Sequence, residues 1–60
     1  MAFTILLVDD ELEMCLSLSE LLNDEGYHTR YTTNPLDTLR ILKEHKIDLI
    51  IMDVKMPEII

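Results

Sequence analysis

TILLVDDE, residues Thr4 to Glu11, carries an almost unbroken apolar run straight into three carboxylates. From Phe3 to Val8 every residue except Thr4 is apolar. Burial on both sides, rather than alternation, is what a strand in the middle of a parallel sheet requires. A first strand is therefore expected from Phe3 to Val8, with Asp9 and Asp10 at its end. Three neighbouring negative charges repel, so the arrangement asks for a compensating partner from elsewhere in the fold.

Working outward, Met14, Cys15, Leu18, Leu21 and Leu22 fall within about a third of a helical circumference. Glu13, Ser17, Glu20 and Asp24 lie opposite, so the pattern predicts an amphipathic helix from Glu11 to about Asn23. Leu12 and Leu16 fall outside the stripe. Gly26 stands where a helix C-terminus favours a residue free to take positive φ. Tyr27 to Thr32, YHTRYT, mixes β-formers with polar positions and predicts a second strand with a wet side or at an edge. In TNPLD, Asn34 reads as an N-cap, Pro35 as the first helical position and Asp37 as the third. Leu36, Thr38, Leu39 and Leu42 are the expected inward stripe of this second helix. Ile47 to Val54, IDLIIMDV, is apolar beyond Asp48 and reads as another interior strand.

The order β-α-β-α-β predicts an α/β fold with a parallel sheet and crossover helices. Right-handed crossovers can place the second and third strands on opposite sides of the first, giving the order 2-1-3 and one helix on each face. A crevice then opens beyond the ends of strands one and three, where open α/β sheets bind ligands. Asp9 and Asp10 close strand one and Asp53 closes strand three, so these carboxylates are expected to converge. Neighbouring strands lie about 4.8 Å apart, and carboxylates that close repel unless a cation intervenes. Oxygen-only donors with room left for water or phosphate favour Mg²⁺ over Ca²⁺. A carboxylate beside such an ion suits phosphoryl transfer, and Asp53, alone at its strand end, is the better nucleophile. Met56-Pro57 shapes the loop that follows, since Pro fixes its own φ and biases Met56 away from helix.

Composition narrows the field. Sixty residues allow one domain at most, and the balance of 48% hydrophobic to 28% charged residues is globular. Twelve acidic residues against five basic ones give a net charge of −7, the wrong sign for a direct grip on nucleic acid or an anionic membrane. The single cysteine, Cys15, cannot form an internal disulfide and reads as a small core residue. With no secretory signal and no apolar run near the roughly 20 residues that span a bilayer, a cytoplasmic setting is expected.

LLVDDE, GYHTRYTTN and LIIMDVKMP together resemble the receiver domain of two-component response regulators. An acidic pair closing strand one and D-x-x-M-P closing strand three form a specific combination. The resemblance implies a flavodoxin-like receiver, of which residues 1–60 would be the N-terminal half, ending before strand four. It implies that Asp53 accepts a phosphoryl group from a sensor histidine kinase. It further implies that Asp10 binds Mg²⁺ directly, that Asp9 acts largely through water, and that the backbone carbonyl of Lys55 adds a ligand. Where the family usually has Asn-Gly before the second helix, this chain has Asn34-Pro35. The Ser/Thr and Lys that read the phosphoryl group in the family belong beyond residue 60.

Two classes of function follow. One is a Mg²⁺-dependent phosphoacceptor switch. The other is an interaction module of the same shape that associates, as a homo-oligomer, through the open edge of its third strand and does not switch.

Overall fold

The structure, a computed structural model, describes residues 3–53 and, at Asp53, the backbone alone. Three parallel strands are ordered β2-β1-β3, with β1 at Thr4–Asp9, β2 at His28–Thr32 and β3 at Leu49–Asp53. The helix α1, Leu12–Asp24, joins β1 to β2, and α2, Thr38–Glu44, lies between β2 and β3 after a 3₁₀ turn at Pro35–Asp37. This is the α/β architecture and strand order that the sequence predicts.

The central strand makes the core. Ile5, Leu6, Leu7 and Val8 are all buried, because β1 has a strand on each side and a helix over each face. Successive side chains of a strand point to opposite faces. Leu6 and Val8 meet Ile41 of α2 and Ile47, whereas Leu7 shares a hollow with Cys15 and Leu18 of α1. The two helices therefore cover opposite faces.

Local chemistry sets the element ends. Asp24 closes α1, and Gly26 follows at φ +96°, the left-handed conformation open to a residue without Cβ. The amide of Gly26 donates to the Asn23 carbonyl at 3.0 Å and that of Tyr27 to the Leu22 carbonyl at 3.1 Å, the paired bonds of a Schellman ending. Tyr27 is thereby drawn into the turn, which is why β2 begins at His28. At the next junction the Asn34 carboxamide oxygen accepts from the Leu36 amide at 3.0 Å, the expected cap.

Both helices depart from the expected stripes. Thr38 and Ile41 are the buried residues of α2, while Leu36 is 87% and Leu39 71% exposed. Thr38 faces inward as expected, but Leu39, the next residue of the same α-helix, is turned about 100° away from it, so α2 seats its Thr38–Ile41 side and leaves Leu39 and Leu42 exposed. In α1, Cys15 is buried and Leu18 and Leu22 are half-buried, but Met14 and Leu21 are exposed. Those two share the flank beyond the part of the helix seated on β1 and β2, and Met14 borders the hollow toward Ile51 of β3. The strand expected from Ile47 begins at Leu49, and Val54 lies outside the described residues.

Candidate functional site

The carboxyl ends of β1 and β3 meet. In the parallel register Leu7 pairs with Ile51, Val8 with Met52 and Asp9 with Asp53, so the last residues of the two strands are direct partners across 44 positions of sequence. A clamp at the other end of the strands fixes this register. The Thr4 amide donates to a carboxylate oxygen of Asp48 at 2.8 Å, and the Asp48 amide donates to the Thr4 carbonyl at 2.8 Å. Asp9 lies five positions beyond Thr4 and Asp53 five beyond Asp48, so the clamp and the acidic pair count out the same length of strand.

Asp9 belongs to the strand and is half-buried; Asp10 occupies the bend that follows and is exposed. One carboxylate oxygen of Asp9, Oδ1, accepts the Glu11 amide at 2.9 Å, a turn in which a side chain holds the backbone two residues on. Glu11 is the N-cap residue of α1 and makes no side-chain cap bond of its own. The Asp9 carboxylate thus organises the passage from strand to helix.

Beneath this turn lies Cys15, 1% exposed, with Sγ 3.6 Å from the Asp9 carbonyl oxygen and 3.9 Å from that of Thr32. Burial pushes the thiol above its ordinary pKa, and the Asp9 charge adds to that rise, whereas the hydrogen bond to the Asp9 backbone opposes it. The thiol therefore keeps its proton at neutral pH and is a donor. Around it is a mostly apolar hollow of about 130 Å³, lined by Leu7, Val8, Asp9, Met14, Leu18 and Ile51.

Asp9 and Asp10 offer oxygen alone, the donor chemistry of a hard cation such as Mg²⁺ rather than of zinc or copper. Among the described residues no group of three or more His, Cys, Asp or Glu is arranged to hold a metal ion. Of the expected ligands, Asp9 and Asp10 are adjacent and Asp53 is brought into register with Asp9, while the Asp53 side chain and Lys55 lie outside the described residues. Two participants are not evident from the residues alone. Asp48 looks like a polar break in an apolar strand, and its role depends on a backbone 44 residues away. Cys15 looks like core filling, and its reach toward Asp9 depends on the helix seating.

The family model described as the response regulator receiver domain matches residues 5–60. The chain belongs to the response regulator receiver domain family. This receiver chain is 43% identical over 51 residues to the polar-differentiation response regulator DivK of Brucella anthropi, a match covering 85% of this chain and 41% of that protein. It is 40% identical over 53 residues to sporulation initiation phosphotransferase F of Bacillus subtilis, covering 88% of this chain and 43% of that protein. The receiver chain thus spans less than half the length of these curated relatives. No solved structure matches it. Among its described residues, no helix is long and apolar enough to cross a membrane.

Proposed function

We infer that the chain serves as a phosphoacceptor in two-component signalling, with Asp53 taking the phosphoryl group from a phosphohistidine of a sensor histidine kinase. The observation that carries this reading is the register pairing of Asp9 with Asp53 at the crevice end of the sheet, with Asp10 next in line. The Asp53 carboxylate forms the new oxygen–phosphorus bond as the phosphorus–nitrogen bond to the donor imidazole breaks, and the departing ring nitrogen keeps that bond's electron pair. Mg²⁺, when bound, offsets charge on the phosphoryl oxygens. Asp9, Asp10, Asp53 and the Lys55 carbonyl are the groups that would hold it. The chain acts in this reading as a signalling domain rather than as an enzyme with a separate substrate, and works in the cytoplasm, where its kinase presents the phosphohistidine.

The similarity to a response regulator and to a protein named as a phosphotransferase supports this reading. Its test is the mass of the intact chain after incubation with acetyl phosphate and Mg²⁺. The chain gains one phosphoryl group, and the gain disappears with Asp53→Asn or with excess chelator. A chain that gains nothing, or an Asp53→Asn variant that gains as much, overturns it.

A second reading rests on a different observation. Leu49, Ile50 and Met52 of β3 are exposed, and β3 has a strand partner on one side only among the described residues. Association of copies through this edge, without a phosphoryl switch, is the function that such a surface would support.

A further inference from the structure

Three hydrogen bonds close a circuit around the start of α1. The Glu11 amide donates to the Asp9 carboxylate at 2.9 Å, the Cys15 amide donates to the Glu11 carbonyl at 3.2 Å, and the Cys15 thiol donates back toward the Asp9 carbonyl at 3.6 Å. Asp9 is therefore held twice from the same helix turn, through its side chain by Glu11 and through its main chain by Cys15. The thiol also faces the Thr32 carbonyl, at 3.9 Å, so it stands between the crevice ends of β1 and β2. Leucine or alanine would fill such a core position and leave both carbonyls without this donor.

We propose that Cys15 is a positioning residue for the acidic turn, fixing the Asp9 main chain so that the Asp9 and Asp10 carboxylates are presented in one arrangement to a divalent cation. The consequence for the cation rests on the phosphoacceptor reading above; the positioning itself does not. Cys15 touches no phosphoryl group and is not a catalytic residue. Its effect passes through Asp9, as an outer partner of a metal ligand acts through the ligand it orients.

The test uses the full chain with Cys15→Ala and, as a control, Leu18→Ala, which removes packing from the same hollow without touching the circuit. Amide hydrogen exchange is followed without metal, and Mg²⁺ is titrated by calorimetry. Cys15→Ala is expected to speed exchange of the Glu11 amide several-fold and to weaken Mg²⁺ binding about tenfold. Leu18→Ala lowers the melting temperature and leaves both readouts within about twofold of the parent. Unchanged Glu11 exchange in Cys15→Ala, or parallel losses in the two variants, overturns the proposal. A parent chain that binds no Mg²⁺ but whose Glu11 exchange responds to Cys15→Ala supports the positioning and overturns the cation reading. The Raman S–H stretch of the parent gives a check that needs no variant, since Cys15 is the only thiol. A band at the free-thiol position overturns the proposal.

Discussion

β2 and β3 flank the same central strand in the same parallel sense, yet they are built differently. β2, HTRYT, exposes His28, Arg30 and Tyr31 and keeps Thr29 and Thr32 toward the protein. A cation on a short edge strand discourages pairing with another chain. From Leu49 to Met52, β3 has no charged residue, and it leaves three large apolar side chains exposed. One strand is made to end a sheet; the other has the composition of a strand with neighbours on both sides.

The largest expected effect of that difference is on association. The 60-residue chain should self-associate through β3, and Ile50→Lys should bring its sedimenting mass down toward that of a single chain, while Tyr31→Lys on β2 leaves the mass unchanged. A parent that sediments as a monomer, or equal effects at both edges, breaks the contrast. Stability should divide the same way. Ile51→Ala, which empties part of the α1 hollow, should destabilise by about 2 kcal/mol, whereas Arg30→Ala on β2 should stay within about 0.5 kcal/mol. Urea midpoints check both, and a larger loss at Arg30 would reverse the comparison.

The smallest effect concerns the β2 side, which Cys15 joins to β1. Its thiol pKa is raised in the folded chain from an ordinary value of 9.0. Below that pH both folded and unfolded chains keep the proton, and the contribution is complete. As pH rises from 9.0 toward the higher folded value, the unfolded chain loses its proton first, so stability falls. Urea midpoints measured on either side of pH 9.0 should decline more in the parent than in Cys15→Ala; equal declines would remove the thiol from the account.

Much of this contrast could be read from the residues. LIIM without a charge reads as an interior strand, and HTRYT reads as a strand with a wet side or at an edge, because strand burial is written in side-chain type. The convergence of Asp9 and Asp53 followed from strand order, which the β-α-β-α-β alternation and crossover handedness restrict to few possibilities. Helix faces were less legible. Pro35 announces a helix start, but the leucines of this segment outnumber the positions α2 can seat, so Leu36 and Leu39 read as inward beside Thr38 although the buried side runs through Thr38 and Ile41. Met14 and Leu21 belong to an apolar arc wider than the surface α1 occupies, and the arc alone does not say which part is seated. The thiol bond to Asp9 depends on that seating and was invisible for the same reason.

The Thr4–Asp48 clamp gives the sheet a fixed origin from which both strands are measured. Five steps of about 3.3 Å each lead from it to the acidic ends, so a residue deleted between Asp48 and Asp53 would leave the clamp intact and set Val54 opposite Asp9. The spacing between these two aspartates thus sets which residues end the two strands side by side, and a gain or loss of length there would move Asp53 out of register with Asp9 without altering a single acidic residue.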